Sequence, residues 1–441
     1  MFSQFDFFIR GIYYTLMIHV NLCRSNSRQK LRHWIAIITS LLWIVPFALA
    51  DTCPTLVNAG DLSNCKRERD SRLPSSGLHA AGKDFARTAP TGTSYHRLII
   101  QWYQAYKDGV LNTDWLDHYF DEANRYGMKV ILSLRANHPQ KSSTTFDPSA
   151  AEKTYQTPDS LPHDLNEWTS YVKQIVQRYS DEGLIAVAVL NELPQFEKNK
   201  ILPERKKDLL TMMKATYETI KAVNPRMIVI SPATTGGHML ALKEGFNERG
   251  WIYVGNDTKG YQQLTQADAK KLYAKRKPRE SESEIGLFET VVIDGAPYYD
   301  FLDTHLRSDF AEDPRFVANF IRHLWQVNGI QGKGLMALEF GGPFHPYSEE
   351  AQVYMIRAAQ MVAYSAGFDA ITWAPWYIEK KQALKYQRNA LVDQNNRLKP
   401  DLVEAFKTLV TETKNFTMVK RLDLQNFVFT LPDGSKHKVM I

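Results

Sequence analysis

One stretch constrains the fold of this chain more than any other: Ile185-Ala186-Val187-Ala188-Val189-Leu190-Asn191-Glu192-Leu193-Pro194. Its apolar run has the length of a strand and no polar interruption, so both faces must be buried, as in a parallel sheet. The run ends on Asn191 and Glu192, and Pro194 stops it. Gly334-Leu335-Met336-Ala337-Leu338-Glu339-Phe340-Gly341-Gly342-Pro343 has the same order of parts: apolar residues, one glutamate, then glycines that permit a sharp turn. Two buried strands that each deliver a carboxylate at the carboxyl end fit an α/β barrel, whose chemistry gathers at that face.

The rest of the chain keeps the same alternation. Strand signals fall at 97–102, 129–134, 227–231, 299–305 and 369–373. Between them apolar residues recur at helical spacing, as in Trp115, Leu116, Tyr119, Phe120 and Ala123, or Leu165, Trp168, Val172, Ile175, Val176 and Tyr179. Thr113 is placed to cap the first of these helices, and Gly127, Gly183 and Gly367 to close helices. With a short first strand near Leu56-Val57 the count reaches eight βα units, which predicts a (β/α)8 TIM barrel, α/β in class. Residues 236–290 break the rhythm with charge around Lys270-Lys271 and Lys275-Arg276-Lys277, and read as a loop insertion after strand five. The tail 426–435 alternates and carries an Asp433-Gly434 turn, a short C-terminal β-hairpin. The expected organisation is a leader at 1–50, a loop-rich lead-in at 51–94, the barrel at 95–415 and the hairpin extension at 416–441.

The leader sets the compartment. Arg24, Arg28, Lys30 and Arg32 precede an apolar run over 34–50 that ends Ala48-Leu49-Ala50, the small-x-small pattern that a signal peptidase needs. Either a cleaved export signal or an uncleaved inner-membrane anchor satisfies it, and both put the domain outside, periplasmic or secreted. Residues 1–50 hold five basic residues against one acidic, so most of the formal +6 lies in the leader. The remainder lacks the concentrated basic face that phosphate binding requires, which argues against nucleic acid as a partner. Of the three cysteines, Cys53 and Cys65 remain after cleavage, an even pair able to close a small loop in an oxidising compartment. Two cysteines make no zinc cluster, and the histidines show no HExxH or paired spacing. Neither a metal nor a nucleotide cofactor is expected.

With 97–102 as strand two, Glu192 leaves strand four and Glu339 leaves strand seven, on opposite sides of one barrel mouth. Two carboxyl groups about 5 Å apart can cleave a glycosidic bond with retention, one protonating the leaving oxygen and one attacking the anomeric carbon. Asn191-Glu192-Leu193-Pro194 and Leu338-Glu339-Phe340-Gly341-Gly342, with Ile371-Thr372-Trp373-Ala374-Pro375-Trp376 after strand eight, resemble glycoside hydrolase clan A, retaining barrel enzymes that include the thirty-ninth and fifth families. The resemblance implies that Glu192 is acid/base, that Glu339 is nucleophile, and that Asn191 bonds the hydroxyl beside the anomeric carbon. Trp373 and Trp376 are candidates to stack on sugar faces, and His138 and His305 to bond sugar hydroxyls.

Two departures accompany the resemblance. His-x-Tyr after strand six is replaced by His305-Leu306-Arg307, and the arginine usual near the end of strand two is not evident, since Arg97 begins that strand. Tyr299 and Arg135 are the candidates to fill those roles. The expected partner is a polysaccharide or oligosaccharide substrate, with the membrane engaged only through an uncleaved leader. The alternative is a barrel that binds carbohydrate or an envelope partner without cleaving it.

Overall fold

A computed structural model of the chain describes residues 65–79, 84–107, 109–142, 161–192, 203–234, 249–254, 259–263, 285–307, 313–342, 349–376, 390–393, 395–423 and 425–440. All belong to the compact unit Thr52–Ile441. Eight parallel strands close on themselves: β1 (Ser76–His79), β2 (Tyr95–Gln101), β3 (Lys129–Arg135), β4 (Leu184–Val189), β5 (Ile228–Ile230), β6 (Phe301–Asp303), β7 (Gly334–Gly341) and β8 (Ala370–Trp373). Each pairs with the next, and β8 returns to β1 through Ile371 opposite Ser76. Around them lie α1 (Asp114–Arg125), α2 (Leu165–Tyr179), α3 (Pro203–Val223), α4 (Asp313–Val327), α5 (Glu349–Ala366) and α6 (Pro400–Glu412). This is the expected (β/α)8 barrel, with a C-terminal strand set and an insertion after β5 that contains the hairpin strands Arg249–Val254 and Lys259–Gln263.

The strands read as unbroken apolar runs because both of their faces are covered. On β3, Ile131 points into the barrel lumen with Tyr95, Ala186, Ala188, Ile230, Phe301, Met336 and Leu338. Its neighbours Val130, Leu132 and Leu134 belong to the outer layer with Phe120 of α1 and Trp168 and Val172 of α2. Two glycines make room for the aromatic rings in the lumen. A Cβ on Gly77 would lie 2.1 Å from the Tyr95 ring, and one on Gly334 would lie 2.3 Å from the Phe301 ring. Helix α2 starts where Asp164 accepts from Asn166 N at 2.7 Å. Thr113 stands ahead of α1 but makes no capping bond through its side chain.

The lead-in differs from expectation. Leu56 and Val57 lie outside the described residues, and the first barrel strand is Ser76–His79, within the segment read as loop. Four residues with one glycine and one histidine carry too short a pattern to stand out. Cys65–Glu68 pairs antiparallel with Met418–Arg421, so the C-terminal strands Met418–Arg421, Asn426–Thr430 and Lys436–Met440 form a four-stranded sheet with a strand from the other end of the domain. Cys53 lies outside the described residues, as does the whole leader. Among the described residues no helix is long and apolar enough to cross a membrane.

One buried histidine makes the barrel acid-sensitive. His96 on β2 is fully buried, stacked on Phe85 at 4.5 Å, with Nε2 2.8 Å from Thr88 Oγ1. Burial pushes its imidazole from 6.5 down to about 3. Its neutral form therefore stabilises the fold above pH 6.5, and that contribution is lost as pH falls towards 3. The expected loss is about 4 kcal/mol by about pH 3.5. Chemical denaturation across this range should show the fall, and His96→Phe, which keeps the stack, should flatten it.

Candidate active site

Glu192 and Glu339 meet at the carboxyl mouth of the barrel, each behind a local break in strand geometry. Leu190, the residue after β4, has φ +68°, a left-handed conformation that a leucine adopts only under constraint. It follows the last β4 residue and re-aims the chain, so that Asn191 and Glu192, which a regular strand would turn to opposite faces, both serve the mouth. On β7 the pairing with β8 shifts between Ala337 and Phe340, a bulge that spans Glu339. Leu338 packs in the lumen, yet Glu339 beside it also reaches the site. Gly341 lets the end of β7 approach β8, since a Cβ there would stand 2.3 Å from Ala374 O.

One oxygen of each glutamate and Nδ1 of His305 all lie within 4.8 Å of one another. His305 Nδ1 is 3.0 Å from Glu192 Oε1 and 3.8 Å from Glu339 Oε2. Glu339 is nearly enclosed, whereas the Glu192 side chain is 38% exposed. A carboxyl separation near 5 Å belongs to double displacement, and inversion needs roughly 6.5–9.5 Å to admit a water.

Arg97 organises the site. Its Nε donates to Ser133 Oγ at 2.8 Å, and Nη1 donates to Glu339 Oε1 at 2.8 Å and to Leu338 O at 3.2 Å. Nη2 donates to Asn191 Oδ1. One guanidinium thus ties β2 to β3, β7 and the end of β4, and its Nη1 holds Oε1 of Glu339. Burial pushes Arg97 down to about 10, with Asp303 and Glu192 acting in the opposite sense, so it stays charged at neutral pH. His79, at the end of β1, brings Nε2 to 3.6 Å from Glu339 Oε1.

The site therefore gathers Glu192, Glu339, Asn191 and His305 from the residues expected there. Arg135 ends β3 level with Gln101 and adds a like charge near Arg97, so it too belongs to the mouth. His138 follows β3 in a loop held by Ser142, its ring edge-on to Trp102 at 5.3 Å and its Nδ1 accepting from Gln140 N at 3.2 Å. Half-burial lowers its pKa.

Three expected residues stand elsewhere. Tyr299 precedes β6, at the opposite end of the barrel, and its hydroxyl donates to Val292 O at 3.1 Å. Trp373 is buried and packs outward, 6.4 Å from Phe340 and 6.3 Å from Phe406 of α6, because the alternation on β8 gives the lumen to Ala370 and Thr372 instead. Trp376 is fully buried, with Nε1 donating to Asp84 Oδ2 at 2.8 Å. Neither indole offers an open face to a sugar ring.

Arg97 reads as a strand start in the sequence, but β2 begins at Tyr95, so Arg97 sits in its middle and faces inward with Tyr95. A charged residue at an inward position of an apolar run is the signal for it. Asp303, at the end of β6, is buried beside His305. Gln101 Oε1 and both side-chain polar atoms of Asn137 are buried at the ends of β2 and β3 with no hydrogen-bond partner among the described residues. Such atoms are costly unless something accepts or donates to them.

Solved structures share this architecture. A family 39 glycoside hydrolase from the gut symbiont Bacteroides cellulosilyticus WH2 aligns with a TM-score of 0.55 at 14% identity, over 84% of this chain and 70% of that one. A GH39 β-xylosidase from Caulobacter crescentus aligns with a TM-score of 0.52 at 16% identity, over 83% and 77%. A glucosidase from Croceicoccus marinus gives 0.51 at 12% identity, over 83% and 80%. No family model matches the chain, and no curated protein matches it in sequence. The chain has the (β/α)8-barrel fold of the clan A glycoside hydrolases.

Proposed function

We propose that this chain is an exported retaining glycosidase that cleaves O-glycosidic bonds of a polysaccharide or oligosaccharide by double displacement. The observation that carries the reading is the convergence of Glu192 and Glu339 oxygens within 4.8 Å at the carboxyl ends of β4 and β7. Glu339 is the nucleophile: it lies against the Arg97 guanidinium, which favours its ionised form. Glu192 is the acid/base, more exposed and placed to protonate the departing oxygen, then to deprotonate the water that releases the sugar. Asn191, oriented by Arg97, is positioned for the hydroxyl next to the anomeric carbon through its amide N–H. Gln101 and Asn137, whose polar atoms lack partners among the described residues, are suited to bond further hydroxyls. The leader supports export, and the likeness to a β-xylosidase and a glucosidase supports a carbohydrate substrate.

A panel of 2-deoxy-2-fluoro glycosides with activated leaving groups tests this directly, because the fluorine slows release of a covalent sugar–enzyme ester. Peptide mass spectrometry is expected to place the adduct on Glu339, and NMR of the first-formed product from an unmodified substrate to show the starting anomer. An inverted product, or an adduct on any other residue, would remove the mechanism.

A further inference from the structure

The mechanism needs Glu192 to hold a proton at rest, and the means lies on β6. Asp303 is 1% exposed, and its Oδ1 accepts from Leu338 N at 2.8 Å. Among the described residues Oδ2 has no hydrogen-bond partner and faces His305 Nε2 at 3.3 Å, a nitrogen equally without one. The other ring nitrogen, Nδ1, faces Glu192 Oε1 at 3.0 Å. Both ring nitrogens face a carboxyl group; with Glu192 as the one that carries a proton, Asp303 can only accept, so the proton of a neutral imidazole is drawn to Nε2 and Nδ1 is left with its lone pair. A bare Nδ1 accepts in turn, and the atom it faces belongs to Glu192.

We propose that Asp303 is a positioning residue that fixes the Nε2–H tautomer of His305, so that His305 Nδ1 accepts a hydrogen bond from protonated Glu192 and keeps the acid loaded. The inference rests on the glycosidase reading, which requires a protonated Glu192, and the tautomer is read out separately from turnover. Once Glu192 gives its proton to the leaving oxygen, its carboxylate faces a lone pair. That contact drives it to take a proton back from the attacking water. The same three groups thus serve both half-reactions, with the proton moving from Glu192 to the leaving group and from water to Glu192. Among the described residues Arg97 from β2, His79 from β1 and Glu339 from β7 are further charged groups at this cluster. Arg97 and Glu339 form an ion pair with each other, and Asp303 is the carboxylate on the Nε2 side of the ring.

The wild-type chain labelled with ¹⁵N-histidine decides the tautomer without any assay of turnover. The resonance lost in His305→Ala is expected to be a neutral imidazole with hydrogen on Nε2 and a bare Nδ1. An imidazolium, or the opposite tautomer, at the pH of activity would overturn the proposal. Asp303→Asn should reverse the tautomer, because the amide can keep its oxygen on Leu338 N and turn an N–H towards Nε2. The alkaline limb of kcat/KM is then expected to fall by about one pH unit. Glycosides with poor leaving groups should lose about 10²-fold in kcat, and dinitrophenyl glycosides, which need no acid, less than about threefold. An equal loss on both classes would assign Asp303 a merely structural role. If Asp303→Asn does not fold, His305→Ala is read in the same leaving-group series. Should the wild-type chain cleave no glycoside while the tautomer is as stated, the glycosidase reading fails and the assignment of Asp303 stands.

Discussion

Glu339→Ala is expected to lower kcat at least ~10⁴-fold on any glycoside the wild-type chain cleaves, and added azide to restore part of it with inverted anomeric configuration. On the proposed mechanism the loss is large because the covalent route vanishes while Glu192 serves the leaving oxygen. Truncation opens a space beside Arg97 where a small anion fits, with the guanidinium still present to hold it. Azide entering there attacks in a single step from the nucleophile's side, so the product is inverted. Glu339→Gln separates chemistry from support. It keeps an oxygen for Arg97 Nη1, so its melting temperature should stay near wild type, and it is equally inactive without responding to azide. The measurements are single-turnover rates, product NMR and thermal denaturation. An alanine variant that retains its turnover would end the assignment of Glu339.

Much of this was readable in the sequence, for identifiable reasons. The Glu192 and Glu339 strands stood out because parallel strands buried on both faces are written as continuous apolar runs, and a single glutamate at the end of such a run is conspicuous. His305 was legible by its place after β6. Arg97 was obscured by a two-residue error at a strand boundary, where local pattern is weakest. Asp303 was obscured because its significance lies in a three-dimensional contact with His305 and not in spacing. The tryptophans were misassigned for a third reason: an aromatic residue at a strand end satisfies either face, and only the inward or outward phase of β8 decides that Trp373 packs against Phe406. The short β1 was missed because Gly77 admits the Tyr95 ring, a demand of packing that removes the apolar side chain a strand pattern relies on. The irregularities at Leu190 and at the β7 bulge leave no trace in composition, and they bring the two carboxylates together.

Arg97 carries the other large effect. Its side chain is fully buried, and its donors serve Ser133, Leu338, Glu339 and Asn191 at once. Arg97→Ala would leave Glu339 without its guanidinium and remove a compensating charge that acts on Asp303, and stranding one partner of a buried pair costs about 3–5 kcal/mol. The variant should therefore unfold at markedly lower denaturant than wild type, with an unchanged dependence on denaturant concentration. Arg97→Lys isolates the role in the reaction. An ammonium keeps the charge but has no planar fork, so it cannot hold Glu339, Asn191 and Ser133 in one geometry. Its stability should fall less, while kcat should fall about 10²-fold because a carboxylate displaced by about 1 Å attacks poorly. The acid limb of kcat/KM should also move to higher pH in any variant that weakens the cation against Glu339, since less positive charge then favours its ionised form. A lysine variant with wild-type kcat would mean that Glu339 is aimed by the β7 bulge alone, and that Arg97 serves only to neutralise charge inside the barrel.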